Sequence, residues 1–194
     1  LPPSLSFDEG AAFGLVYQTS YCALVHRAAL RAGEWLLVHG AAGGVGLAAV
    51  QIGKALGARV IATAGAPEKL EIARQSGADV LINYRTEDWV ARVKEITGSG
   101  ADVVYDPVGG DVFDGSSKCL NFEGRLLVIG FAGGRIPEIA ANRILLKNIS
   151  VVGVHWGLYQ ERQSPLIARW MDELLALVEH GKLRPVIYKR FPLQ

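Results

Sequence analysis

The stretch "HGAAGGVGLAAVQIGKALGARV", from His39 to Val60, decides how the rest of this 194-residue chain is interpreted. Its first fifteen residues include five glycines, and no residue from Trp35 to Gly53 carries a formal charge at neutral pH. Three structures fit such a stretch at first sight. They are a membrane helix, a flexible linker, and a turn between a strand and a helix that holds a ligand.

The first two structures conflict with the residues. In a membrane span, His39 and Gln51 would lie in hydrocarbon, and glycine lowers the stability of a helix interior. A flexible linker needs polar flanks, whereas the flanks here are apolar. The stretch also divides at its glycines into a β-type half and a helical half. It therefore predicts a strand, a turn and a helix, with no membrane contact.

The sequence on either side repeats this unit. Short, continuous apolar runs alternate with helical patterns, and these runs cover residues 35–40, 58–64, 78–83, 101–106 and 125–130. Pro67 stands where a helix should begin, while Gly57, Gly77 and Gly98 stand where helices should end. The repeat predicts an α/β fold, a doubly wound parallel sheet (Rossmann fold) with helices on both faces. Beyond the repeat, residues 8–30 and 164–183 are expected to be helical, and residues 184–192 a closing edge strand.

Composition excludes some functions. The net charge is only +1, from 20 basic and 19 acidic residues, so nucleic acid is not an expected partner. Cys22 and Cys119 are too far apart in the sequence for metal-ligand spacing. A chain with so few cysteines suits a reducing compartment. The first residues lack the charged and apolar regions of a signal peptide. We therefore expect a cytoplasmic protein, and the missing initial methionine indicates a piece excised from a longer one.

The glycine turn resembles the dinucleotide fingerprint G-x-G-x-x-G. Aligned on it, residues 41–46 read A-A-G-G-V-G, with Ala41 in the place of the first glycine. Gly43 would let the backbone approach a pyrophosphate, and Gly46 would let the helix pack closely on the sheet. The unpaired N–H groups at the helix start would bind the phosphates. No G-K-[ST] follows, so a P-loop is excluded.

The cofactor choice depends on the end of the second strand. An NAD site usually has a carboxylate there, but this chain has Thr63, Ala64 and Gly65. Without that negative charge a 2′-phosphate is admitted. Lys69 and Tyr84 are placed to bind it, with Arg85 as a further cation. Lys69 is equally compatible with a solvated helix lysine. NADPH is the expected cofactor.

The sequence resembles the zinc-free quinone oxidoreductases of the medium-chain dehydrogenase/reductase superfamily, which includes ζ-crystallin-like proteins. The A-x-G-x-x-G variant is itself the pattern of this group, and residues 142–157 are closest to the quinone oxidoreductase-like protein 2 branch. The stretches that carry the resemblance span nearly the whole chain: "YQTSY", "LLVHGAAGGVGLAAVQIGKALGARVIATAG", "GADVLINYRTEDW", "GADVVYDPVGG", "EGRLLVIGFAGG" and "NRILLKNISVVGVHWG".

The resemblance implies how the chain is organised. In this family a cofactor domain interrupts a GroES-like catalytic domain. Residues 1–30 would then be a helical lead-in, 31–180 the NADP-binding domain and 181–194 a return segment. The resemblance also implies a homodimer formed through an edge strand at Asn148–Trp156.

The resemblance further implies a set of cofactor-binding residues, although it leaves the catalytic residues unknown. Phe131, His155 and Trp156 are also compatible with plain packing, and His155 with acid–base chemistry. The residues expected at the pyrophosphate are Ala42, Gly43, Gly44 and Val45, and those at the 2′-phosphate are Gly65, Lys69 and Tyr84. Val108 is expected on the adenosine side. The residues expected near the nicotinamide are Thr19, Ile129, Phe131 and His155.

The implied reaction is hydride transfer from NADPH to a quinone or an α,β-unsaturated carbonyl. No metal is expected, because Leu15 occupies the position at which zinc-dependent relatives place a catalytic cysteine. The isolated chain is expected to be inactive. Two alternatives stay open: an enoyl reductase, including a module of a polyketide or fatty-acid synthase, and a non-catalytic crystallin-like protein that keeps the fold.

Overall fold

The computed structural model describes residues 2–192, in which a parallel sheet is flanked by helices. The strands are β1 (Trp35–Val38), β2 (Arg59–Ala64), β3 (Val80–Asn83), β4 (Ala101–Asp106), β5 (Leu120–Val128) and β6 (Ser150–Gly153). The helices are α1 (Phe7–Tyr21), α2 (Gly44–Ala55), α3 (Pro67–Gln75), α4 (Trp89–Thr97), α5 (Gly110–Ser116), α6 (Ala141–Lys147), α7 (Trp156–Arg162) and α8 (Ser164–Glu179). A π-helical turn, Cys22–Arg27, continues α1.

All six strands are parallel and lie in the order β3-β2-β1-β4-β5-β6. The strand order reverses between β1 and β4, and doubly wound sheets bind ligands at this point, at the carboxyl ends of their strands. Successive side chains of β1 face opposite cores. Leu36 and Val38 join α1, α2 and α8, whereas Leu37 joins α4 and α5. The predicted doubly wound sheet with helices on both faces is confirmed.

The predicted helix ends are also confirmed. Pro67 is the first residue of α3, where its missing N–H costs nothing. Gly57, Gly77 and Gly98 follow helices with φ of +82°, +108° and +78°, a conformation that a Cβ would strain. Within residues 2–192, no helix combines the length and the apolar character needed to cross a membrane.

The predicted closing strand at residues 184–192 is wrong. Within residues 2–192 this segment forms no strand, and a side chain holds its first residue. The Gln51 amide donates to the Arg184 carbonyl at 2.8 Å and accepts from the Arg184 N–H at 2.9 Å. The Arg184 guanidinium also donates to Glu9 at 2.8 Å. Two backbone groups that a ladder would use are therefore already satisfied by α2.

The strand expected at Asn148–Trp156 is shorter than predicted. Asn148 ends α6 in the left-handed conformation, with φ of +50°, so pairing cannot begin there. His155 caps α7 and Trp156 is its first residue, which ends the extended run. Only Ser150–Gly153 pairs, and it pairs with β5 alone, so β6 is an edge of the sheet.

Candidate dinucleotide site

The turn after β1 explains why alanine replaces the first fingerprint glycine. The left-handed residue is Gly40, with φ of +58°, whereas Ala41 has no positive φ. The Ala41 methyl group is fully buried in the core, and its N–H donates to the Thr63 carbonyl at 3.2 Å. The left-handed conformation therefore occurs at Gly40, one residue before the first glycine of the fingerprint, and alanine fits at position 41.

Gly46 brings α2 against the turn. A Cβ on Gly46 would lie 2.3 Å from the Gly40 oxygen and 2.8 Å from the Ala41 Cα. Gly43 precedes α2 as its N-cap, and no side chain caps the helix. Gly43 and Gly44 are exposed, so the first N–H groups of α2 face open space. The turn is thus a cradle of backbone donors that a phosphate can approach.

A small pocket opens beside this cradle, at the carboxyl ends of β1 and β2. Its volume is about 250 Å³, and its lining is Gly40, Ala42, Gly43, Ala64, Gly65, Lys69 and Tyr84. A Cβ on Gly65 would lie 2.6 Å from the Tyr84 Oη and 3.0 Å from the Arg85 Nε. Among residues 2–192, neither Lys69 nor Arg85 forms an ion pair. The pocket is lined by one cation, Lys69, and the phenol of Tyr84, and a second cation, Arg85, lies beside it at Gly65.

The buried side chain of His39 holds the end of β2, which forms part of this pocket. The Ser116 hydroxyl donates to the Val112 carbonyl at 2.7 Å, so at 3.0 Å it accepts from the His39 Nε2–H. The neutral ring then accepts the Thr63 hydroxyl hydrogen at Nδ1, at 2.9 Å. Burial lowers the pKa of His39 to about 3, so the ring is neutral at pH 7. His39 thereby ties β1 to the end of β2 and to α5.

The loop after β4 is held by Asp106, a residue that the sequence did not single out. The Asp106 Oδ1 accepts the N–H groups of Val108 and Gly109 at 2.8 and 3.0 Å. Among residues 2–192 the Oδ2 has no hydrogen-bond partner, and burial raises the pKa of this carboxyl. The Gly133 N–H donates to the Val108 carbonyl at 2.8 Å, which joins this loop to the loop after β5. Phe131 is brought against Gly109 in this way, since a Cβ on Gly109 would lie 3.0 Å from a carbon of its ring.

A large cleft of about 570 Å³ lies beyond the β5 loop. The Arg27 Nε donates to the Gly153 carbonyl at 3.2 Å and forms one side of the cleft. The His155 Nδ1 accepts the Leu158 N–H at 3.1 Å, so the ring caps α7. The lining contains two arginines, mostly apolar side chains and no carboxylate: Arg27, Val128, Ile129, Gly130, Phe131, Gly153, Val154, His155, Leu158, Tyr159, Arg162 and Gln163.

The structure therefore groups the predicted residues in two places. Ala42, Gly43, Gly65, Lys69 and Tyr84 line the small pocket, and three others, Ile129, Phe131 and His155, line the large cleft. The remaining four line neither: Thr19, Gly44, Val45 and Val108.

The residue after Thr19 in α1, Ser20, contacts the start of α2. The Ser20 hydroxyl donates to the Val45 carbonyl at 3.0 Å. Because that hydroxyl hydrogen is used, the buried Tyr105 hydroxyl donates to Ser20, at 2.9 Å. These bonds fix α1 against the first turn of α2.

Sequence reasoning missed part of both sites. Arg27, Tyr159 and Arg162 of the cleft come from the π-helical turn and from α7, which carry no recognised motif. The sequence signal for His39 was its position inside an otherwise apolar run, which indicates a buried side chain. A buried histidine needs hydrogen-bond partners at both ring nitrogens.

The chain is similar to known proteins over its whole length. Residues 44–173 match the profile of a family described as zinc-binding dehydrogenase. The chain is 41% identical to quinone oxidoreductase-like protein 2 of Bos taurus, over 100% of this chain and 56% of that protein.

Solved structures are similar in fold as well, and two of them serve as examples. One is Escherichia coli quinone oxidoreductase complexed with NADPH, with a TM-score of 0.83 and 36% identity over 94% of this chain and 56% of that one. The other is the CurK enoyl reductase, with a TM-score of 0.87 and 33% identity over 99% of this chain and 57% of that one. The chain spans just over half the length of the proteins it matches.

Proposed function

The chain belongs to the quinone oxidoreductase family of the medium-chain dehydrogenase/reductases, and we propose that it is the NADPH-binding domain of a reductase. The observation that carries the proposal is the small pocket, where Lys69 and Arg85 adjoin the phosphate cradle and no carboxylate lines the wall. Residues 1–30 and 181–194 are proposed to lead from and to a catalytic domain of the GroES-like kind.

The residues present fit a dinucleotide phosphate. The backbone at Gly43 and Gly44 is exposed at the start of an uncapped helix, which suits the pyrophosphate. Lys69, Arg85 and the Tyr84 hydroxyl offer donors to a 2′-phosphate, and two cations give a charge-assisted contact. No aspartate or glutamate is among the residues that line the pocket, so no negative charge there opposes the phosphate.

The nicotinamide, when bound, supplies the hydride. The chain's own residues position it. In the proposal the cofactor runs from the small pocket across the α2 cradle to the large cleft, where Ile129, Phe131 and His155 adjoin the ring. The apolar walls of the cleft exclude water, which protects the hydride from loss. The Nδ1 of His155 accepts the hydrogen bond that caps α7, so its Nε2 is the ring nitrogen available to a ligand.

We propose that the reaction needs no zinc. Leu15 stands at the position of the catalytic cysteine of zinc-dependent relatives, and its side chain is exposed on α1. The acceptor is proposed to be a quinone or an α,β-unsaturated carbonyl. The whole protein, rather than this chain alone, is proposed to carry the activity, in the cytoplasm.

An enoyl reductase is a second candidate, and the similarity to the CurK enoyl reductase favours it. The two functions share the cofactor and differ in the acceptor. Assaying the whole protein with enoyl thioesters and with quinones distinguishes them. A non-catalytic crystallin-like role predicts no turnover with either acceptor.

A homodimer is proposed to form through the Asn148–Trp156 segment. Its paired part, β6, is an edge of the sheet, and Val151 and Val152 are only partly buried. Such an edge needs a cover, which a second copy of β6 would provide. Light scattering that gives a monomer at high concentration would contradict this.

The direct test is a competition between NADPH and NADH for this chain. We expect NADPH to bind more tightly, and Lys69→Ala to weaken NADPH by about 10-fold or more, because a charge-assisted hydrogen bond is lost. NADH affinity should stay within about 2-fold. Lys182→Ala, which removes an exposed lysine far along the chain, is the matched control. Equal affinities for both cofactors would overturn the proposal.

A further inference from the structure

A second charged pocket lies at the amino ends of the strands, whereas the dinucleotide turn lies at their carboxyl ends. Lys118 stands two residues before β5 and Lys147 three residues before β6, so both are at the amino ends of the parallel strands. The pocket has a volume of about 330 Å³, and its lining is Lys94, Ser117, Lys118, Arg143, Leu146 and Lys147. Four of these six residues are basic and none is acidic.

The four cations are not neutralised by carboxylates. Within residues 2–192, none of them forms an ion pair, in contrast to Arg135, which pairs with Asp111 and Asp114 of the adjacent helix. Their bonds go to neutral oxygens instead. The Lys147 Nζ donates to the Ser117 and Lys118 carbonyls at 3.2 Å each, and the Arg143 Nη1 donates to the Ser117 hydroxyl at 3.3 Å.

Repulsion among these groups is felt at Lys147. Its pKa lies below the ordinary lysine value because of burial first, and then because of the neighbouring positive charges of Lys94 and Arg143. Asp114 and Glu138 line a neighbouring pocket together with Arg143. They do not relieve this repulsion, since Asp114 is engaged by Arg135 and Glu138 forms no ion pair within the described residues. A bound anion would remove this repulsion.

We infer that this pocket is a binding site for a multiply charged oxyanion, the phosphate or pyrophosphate group of a small molecule. Four converging cations suit an ion of charge −2 or more, and arginine and lysine are the usual phosphate donors. The pocket is concave and larger than one phosphate, and Leu146 with the lysine stems offers an apolar wall to the rest of the ligand. The inference does not depend on the proposed cofactor.

Titration of the ¹⁵N-labelled chain with pyrophosphate and with inorganic phosphate, followed by NMR, tests the inference. We expect saturable shifts at the amides of Ser117, Lys118 and Lys147, with pyrophosphate the tighter ligand. The double variant Lys94→Gln, Arg143→Gln should weaken binding there by at least about 10-fold, since two charged donors are lost. Arg31→Gln with Lys182→Gln removes the same total charge from exposed positions elsewhere and should change it by less than about 2-fold.

The amide map separates this site from the dinucleotide turn, whose reporters are Gly43 and Lys69. Shifts confined to those reporters, or equal affinities in the two double variants, would overturn the inference. So would an equal response to sodium chloride at matched ionic strength. Tighter binding of a polyglutamate peptide than of pyrophosphate, or the same shifts on raising protein concentration, would assign the surface to a protein partner or a second copy instead.

Discussion

The small pocket and the large cleft lie along the same edge of one sheet but are built differently. The turn beside the small pocket is shaped by backbone, because a Cβ on Gly46 would meet backbone atoms of Gly40 and Ala41. The large cleft is shaped by side chains such as Phe131 and Leu158, both of which are exposed. A site shaped by backbone fails when one methyl group is added, whereas a site lined by side chains tolerates change.

The largest effect is expected from Gly46→Ala. The new methyl group would lie 2.3 Å from a backbone oxygen, which no side-chain rotation relieves. We expect the free energy of unfolding to fall by at least about 3 kcal/mol, with loss of NADPH binding. Urea denaturation and cofactor titration measure both quantities.

Gly14→Ala is the matched control for that variant. Gly14 lies in α1, and nothing is within 4 Å of the position of its Cβ. Alanine there should raise the free energy of unfolding by about 0.5–1 kcal/mol through helix propensity. If Gly46→Ala were as well tolerated as Gly14→Ala, the turn would be less tightly packed than described.

The next effect concerns acid stability beneath the small pocket. The pKa of His39 is lowered to about 3 in the folded chain, so between pH 6.5 and 3 the unfolded chain binds a proton that the folded chain does not. The contribution of His39 is complete above pH 6.5 and is lost as the pH falls, at up to about 1.4 kcal/mol per pH unit. Urea denaturation from pH 7 to pH 5 measures this slope.

In His39→Gln, that share of the slope should disappear, although the variant is less stable at pH 7. His180→Gln, which removes an exposed histidine near the end of α8, controls for the loss of one imidazole. Identical slopes in the wild type and in His39→Gln would show that the ring does not remain neutral in the folded chain.

A smaller effect is expected from Gly65→Ala. Its methyl group meets Tyr84 and Arg85, whose side chains are free to move because Tyr84 is 50% exposed. We expect NADPH binding to weaken by about 10-fold as the two donors are displaced, with the free energy of unfolding changed by less than about 0.5 kcal/mol. A loss of stability comparable to that of Gly46→Ala would mean that Tyr84 is fixed.

The smallest effect is expected from Phe131→Ala in the large cleft. The ring is 42% exposed, so its removal should change the free energy of unfolding by about 0.5 kcal/mol or less. NADPH affinity of this chain should change by less than about 3-fold, as fluorescence titration can show. A stronger effect than that of Gly65→Ala would reverse the ranking of the two sites.

The sequence predicts what is local. The strand, turn and helix around Gly40, and the glycines that end helices, follow from residues within one turn of each other. The closing strand was wrong because Gln51, 133 residues earlier, holds Arg184, and no local pattern contains that contact. The large cleft was only partly predicted because Arg27 and Arg162 come to it from distant parts of the sequence, and α7, of seven residues, is too short to show a period.

The position of the left-handed residue has a consequence for motif-based genome searches. Gly40 precedes the fingerprint and takes the conformation that the first glycine is usually held responsible for. A search that demands glycine at the position of Ala41 overlooks chains with this turn, and one that accepts G-A-x-G-x-x-G retrieves them.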